Sequence, residues 1–232
     1  MHGLLNFLTS EHHTAVQLRN YYVFKIIPML NPDGVINGNY RTNLSGEDLN
    51  RRWKNPVEVL HPTICAARKA IFTFSAHHEL EFIIDLHGHS RKNNSFAYGC
   101  NVKGDKFSHI LFPYILSKIT DVFKFRDWRF NIHRSKEDTQ RVALFKSLNW
   151  KATYTIENSF GGISATGYQF TTDDYQKLGQ DICRSMLEYF KQKHPEDVRA
   201  SLRRSGSLPR NGFLPGELAE AAAALASSAH SN

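Results

Sequence analysis

At 232 residues, with 41% hydrophobic and 22% charged positions, the chain can bury a substantial core and reads as a soluble globular protein, one domain of ordinary size plus extras. Its formal charge of +7, from 29 Lys and Arg against 22 Asp and Glu, favours encounter with nucleic acid, anionic lipid or glutamate-rich peptide, and equally suits ordinary basic solubility. Cys65, Cys100 and Cys183 are odd in number and show none of the CxxC spacings of zinc ribbons or redox sites, which points to free thiols in a reducing compartment and predicts a cytoplasmic protein.

Met1, Leu4, Leu5 and Leu8 have the spacing of a helix facing a core. Glu11, His12 and His13 interrupt that segment and no basic region precedes it, so a signal peptide is not expected there, and no run is long enough to span a membrane. Tyr21 to Leu30, YYVFKIIPML, predicts a buried strand stopped by the turn Asn31-Pro-Asp-Gly34. A polar loop follows to about Pro56. Its stretch from Asn37 to Trp53 carries three arginines and four asparagines.

Pro62 sits where a first helical turn tolerates proline, and the spacing predicts a helix to about His78. EFIIDLHGHS predicts a second buried strand, ending in two histidines. A helix is expected over 106–119, kinked or shortened by Pro113, then a weaker strand near Trp128 to Ile132 and a short helix from Asp138 or Thr139 through Leu148. KATYTIE, residues 151–157, alternates like a strand and ends on a carboxylate. Thr171 and Asp174 are spaced as a capping box for a long helix to Lys193. Strands alternating with helices predict an α/β fold, a mixed, largely parallel central sheet flanked by helices, with ligands at the carboxyl ends of the strands. After Pro195 large apolar residues thin out, so 196–232 is expected to be a flexible tail.

His87 and Glu157 both fall at strand ends. Alone, each has a bland reading: a hydrogen-bonded structural histidine, a carboxylate capping a helix or pairing with an arginine. Arg41, Asn50 and Arg51 supply planar donors able to fork onto a carboxylate or an oxyanion, or form a solvated basic loop.

The order NPDG, Arg41, Asp48-Leu-Asn-Arg51, Asp85-Leu-His87, Thr155-Ile-Glu157 resembles the zinc carboxypeptidases of peptidase family M14, most closely their cytosolic group, which trims glutamates from tubulin. NPDGVINGNYR, SGEDLNRRW, LHPTI and DLHGHSRK carry the likeness, over about residues 1–193. It implies a three-layer α/β sandwich, a Zn2+ cofactor and water attack on the scissile carbonyl with no acyl-enzyme. By position it implies His87 as a zinc ligand, Glu157 as the catalytic glutamate, Asn50 and Arg51 on the substrate's terminal carboxylate, and Arg41 on the oxyanion. Arg141 would select glutamate or aspartate. The chemistry suits each type: a neutral imidazole for zinc, a carboxylate to take a proton from water, fixed cations where charge sits or develops.

The same resemblance places two further zinc ligands in a His-Pro-Gly-Glu type motif ahead of the first helix, which this sequence does not contain. His12-His13 and His77-His78 are adjacent pairs that point about 100° apart on a helix and do not replace it. The expectation is therefore an N-terminally truncated peptidase domain over 1–195 that binds zinc poorly and is inactive or nearly so. The family's mobile tyrosine also has no counterpart in His133 to Gln140, and strand parity turns Tyr154 away from the face of Glu157. Two functions remain: a carboxypeptidase acting on acidic protein C-termini such as polyglutamylated tubulin, and a non-catalytic module that binds such tails. Arg203-Arg-Ser-Gly-Ser207-Leu-Pro resembles a basophilic kinase site and a 14-3-3-type phosphoserine ligand at Ser207. No finger, aromatic-interleaved stripe or recognition helix suggests nucleic acid.

Overall fold

The computed structural model describes residues 1–104 and 108–195. The expected tail from 196 to 232, with Ser207, lies outside the described residues.

Helix α1 (His2–Leu8) and α2 (His13–Tyr21) open the chain. The imidazole of His12 caps α2 by accepting from the Thr14 amide, and His13 is the first residue of that helix. α3 (Pro32–Asn37) occupies the predicted NPDG turn. Asn31 accepts from the Gly34 amide, and proline then opens a helix instead of closing a strand. α4 (Pro62–His77) starts on proline as its sequence predicts. Strand β1 (Ile83–His89), β2 (Ser95–Tyr98), α5 (Ser108–Ile119), α6 (Gln140–Leu148), β3 (Thr153–Ser159) and α7 (Thr172–Lys193) complete the described elements. The Thr171–Asp174 capping box is formed at the start of α7.

The described sheet runs β1-β3-β2, with β1 parallel and β2 antiparallel to β3. Side-chain parity divides its faces. Ile84, Leu86, Tyr154 and Ile156 join the larger core with α1, α2, α5 and α7. Ile83 points the other way, into a smaller core with Ile64 and Ala67 of α4 and Ala143 and Leu144 of α6. Helices thus cover both faces of a mixed α/β sheet, the predicted class. α1 lies against α7 with backbones in contact: a Cβ on Gly179 would fall 2.6 Å from the Leu4 nitrogen.

Two predicted elements differ. Tyr21 to Leu30 is not a strand: Tyr22, Phe24 and Ile26 alternate into the larger core, but the segment makes no ladder with any described strand. Pairing, not pattern alone, makes a strand. Helix α5 runs through Pro113. Proline removes the amide that would bond the His109 carbonyl, and the buried Tyr154 hydroxyl donates to that carbonyl at 3.1 Å instead. Near Trp128 to Ile132 the chain makes a bridge at Arg129 to Tyr98 of β2 and no longer strand.

Candidate active-site cleft

Asp85 and His87 share the parity of Ile83, so they lie on the sheet face that carries the smaller core. Glu157 stands beside His87 in the β1–β3 register. Two strand ends therefore deliver an imidazole and a carboxylate to one place, as the sequence suggests.

The polar loop is fixed to that face by its few apolar residues. Leu49 and Trp53 are buried with Ile64, Ile83 and Leu144, which holds the 3-10 turn Leu49–Arg51 at the end of β1. The Asp48 side chain accepts from the Asn50 amide at 3.0 Å and pairs with Arg41 at 3.2 Å and Arg51 at 3.9 Å. Behind the turn, buried His61 accepts from the Val57 amide and meets the Glu47 carboxylate, which also binds Arg52 at 3.0 Å. Asn43 accepts from the amides of Ser45 and Glu47 and donates to the Leu60 carbonyl.

Asn50 joins three segments. Its Oδ1 accepts from the Gln140 amide at the start of α6, 2.9 Å away, and its Nδ2 lies 3.3 Å from His87 Nε2. The same ring nitrogen is 2.8 Å from Asp85 Oδ2. The shorter contact to the carboxylate assigns the proton to Nε2 and leaves Nδ1 as the lone-pair nitrogen in the neutral ring. Burial works to lower the His87 pKa, but the hydrogen bond and charge of Asp85, with the charge of Glu157, outweigh it and raise it.

Glu157 is pushed the same way. Burial raises its carboxyl pKa, His87 opposes, Asp85 adds to the rise, and Lys136 and Arg41 pull back without cancelling it. Its Oε2 is buried with no hydrogen-bond partner among the described residues. A desolvated carboxylate with an unused oxygen is suited to taking a proton.

Arg141 is 5% exposed. Its Nη1 donates to the Gly99 carbonyl and lies 3.1 Å from Cys100 Sγ, and its guanidinium stands over the Tyr98 ring. It has no ion pair among the described residues. A buried guanidinium with no counter-ion favours an incoming anion. The fold thus brings Arg41, Asn50, Arg51, His87 and Glu157 together and places Arg141 at the second residue of α6, just beyond the Asn50–Gln140 contact.

The sequence reading named Asp48 and Asp85 as motif residues without a part in the cleft, and missed Lys136. Strand parity could have found Asp85, two residues from His87. Lys136 has no local signal, since it reaches the cleft only through the docking of its loop.

His87, held by a carboxylate through one nitrogen, is oriented as a metal-binding imidazole commonly is. A zinc site needs three protein ligands or more. Among the described residues no group of three His, Cys, Asp or Glu side chains is placed to hold a metal ion. The described residues therefore supply one oriented ligand and do not fit a complete zinc site.

The description "Zinc carboxypeptidase" matches residues 1–215. Cytosolic carboxypeptidase 2 of Xenopus tropicalis is 41% identical over 196 residues, covering 82% of this chain and 20% of the relative. Cytosolic carboxypeptidase 1 of Homo sapiens is 39% identical over 206 residues, covering 81% and 17%. The chain thus spans about a fifth of the length of these curated relatives. A metallo-carboxypeptidase from Burkholderia cenocepacia superposes with TM-score 0.69 at 20% identity, over 82% of this chain and 52% of that one. Another from Pseudomonas aeruginosa gives 0.66 at 23% identity, over 80% and 51%. These two likenesses establish the shared fold.

Proposed function

The chain belongs to the zinc carboxypeptidase family, and from that premise we propose that its cleft holds the C-terminal end of an acidic peptide, as the substrate-gripping part of a metallocarboxypeptidase that releases a C-terminal glutamate. The observation that supports this reading is the convergence of Asn50, Arg51 and Arg41 around Asp48, with Asn50 at His87 and His87 beside Glu157.

In this reading Asn50 and Arg51 hold the terminal carboxylate, and Arg141 receives the acidic side chain of the last residue. Glu157 takes a proton from the water that adds to the scissile carbonyl, and later passes a proton to the leaving amine nitrogen. Arg41 stabilises the negative charge that develops on the carbonyl oxygen. His87 is the one zinc ligand proposed within this chain. Acidic protein tails such as polyglutamylated tubulin, met in the cytosol, are the proposed substrates. The word cytosolic in the relatives' names supports that location, and no helix among the described residues is long and apolar enough to cross a membrane. For the tail we propose phosphorylation of Ser207 and capture by a 14-3-3-type reader; kinase treatment followed by pull-down, with Ser207→Ala as control, tests it, and equal capture of the variant would discard it.

One observation favours a second reading. With a single oriented ligand among the described residues, the 232-residue chain alone is expected to hold zinc weakly and to bind acidic tails without cutting them. Titration of a glutamate-ended peptide into the zinc-supplemented chain tests both. Binding that disappears in Arg51→Met supports the grip, and no binding by the folded wild-type chain overturns it. Stoichiometric zinc with glutamate release would discard the binding-only reading. Binding that is indifferent to chelator and to Glu157→Gln would favour it.

A further inference from the structure

Lys136 ends the short turn Arg134–Lys136. Its amide donates to the His133 carbonyl at 2.9 Å, and its own carbonyl accepts from the Thr139 amide at 3.1 Å and the Thr139 hydroxyl at 2.7 Å. That closed turn is fastened to the gripping loop twice: the Trp53 amide donates to the Asp138 carbonyl at 3.1 Å, and the Gln140 amide to Asn50 Oδ1 at 2.9 Å. The backbone of 133–140 is therefore set by the residues that form the carboxylate grip.

This docking places a third cation at the cleft. Burial and the positive charges of Arg51 and Arg41 disfavour the Lys136 ammonium, while Glu157 and Asp48 draw it back only in part, so its pKa falls below the ordinary lysine value. The influence is mutual, since Lys136 is among the charges acting on Glu157. Asp48 already pairs with both arginines. Lys136 has no ion-pair partner among the described residues. Three cations share one nearby paired carboxylate, and the one left over, Lys136, is solvent-exposed, as Arg41 also is.

We propose that Lys136 is a specificity-determining residue of the cleft, whose ammonium receives the side-chain carboxylate of an acidic residue upstream of the ligand's last residue, so that runs of acidic residues are preferred to a single terminal one. This rests on the reading that the cleft grips a peptide C-terminus. It extends that reading because the two cationic positions differ in depth. Arg141 is buried at the start of α6 and suits the last side chain, which enters the protein. Lys136 is exposed and its charge acts on Glu157, so in this reading it faces the chain that leads away from the scissile bond. An ammonium there is a compact point charge that can follow a mobile carboxylate, which suits a rim better than a rigid fork would.

The test measures binding, not turnover, on the 232-residue chain. Two fluorescent peptides of equal length, one ending Glu-Glu-Glu and one ending Ala-Ala-Glu, are titrated at fixed ionic strength into wild type, Lys136→Met, Lys136→Arg and the same-turn charge control Arg134→Met. Wild type and Arg134→Met are expected to favour the triglutamate end by roughly tenfold. Lys136→Met is expected to cut that preference to about twofold with Ala-Ala-Glu affinity unchanged, and Lys136→Arg to retain most of it. Equal weakening of both peptides by Lys136→Met would assign the lysine to the terminal carboxylate and overturn the proposal. So would an unchanged preference in Lys136→Met, or a loss of preference in Arg134→Met that matches it. Binding of neither peptide by folded wild type overturns the grip as well, whereas binding with a preference indifferent to Lys136 overturns this proposal alone.

Discussion

Asp85 governs His87 from two residues away, because a strand returns to the same face at that interval. Burial is already the largest single influence on the imidazole, and without the hydrogen bond and charge of Asp85 only Glu157 opposes it, so Asp85→Asn is expected to lower the His87 pKa from its raised value. Titration of the ring followed by NMR chemical shifts checks this, and an unmoved value would mean that Glu157 sets it. Glu157 gives a stability signature of its own. Its folded pKa is raised, so between the ordinary carboxyl value and the raised one the folded chain keeps a proton that the unfolded chain has lost. Stability then falls as pH rises through that window. Glu157→Gln escapes this loss, and thermal melts across the window should show the variant gaining on wild type as pH rises, with the gap narrowing below it. The meeting of His87 and Glu157 was legible because each closes an apolar run. Lys136 was not, because a residue on an irregular turn is near whatever its loop docks against, and the two backbone contacts that dock it involve Trp53 and Asn50, more than eighty residues earlier in sequence.

Among the elements, α4, β1, β3 and α7 could be read directly: an initial proline, two bounded apolar runs and a capping box each carry a local physical cause. Tyr21 to Leu30 has a strand's alternation and uses it for packing, yet a ladder depends on a neighbouring chain that no local pattern reports. β2, at four residues, is too short to carry a period. Pro113 misleads because its compensation comes from Tyr154, forty-one residues later, on another element. The α1–α7 contact offers a clean test of packing. A methyl on Gly179 would sit 2.6 Å from the Leu4 nitrogen, and one on Gly3 would sit 2.1 Å from the Gln176 carbonyl oxygen. Backbone cannot move aside as a side chain does, so Gly179→Ala is expected to destabilise the fold by about 1–3 kcal/mol. Urea unfolding should show a lower midpoint with an unchanged slope, and an unchanged midpoint would mean that the helices are free to separate.

At the scale of the whole molecule, the net charge of +7 and the cationic cleft act in the same sense on an acidic partner. Association with a polyglutamate peptide is therefore expected to slow by on the order of tenfold as ionic strength rises from about 0.01 M to about 0.15 M. Stopped-flow measurement checks this, and a salt-independent rate would show that long-range attraction has no part in the encounter. The same scale shows what Asn50 makes possible. Its amide oxygen accepts from α6 and its amide nitrogen packs 3.3 Å from the imidazole of β1, so a ligand that draws on it is expected to act on His87 as well. Thermodynamic reciprocity then requires that any free energy by which an occupied grip alters proton affinity at the imidazole be returned as a dependence of grip strength on the imidazole's charge.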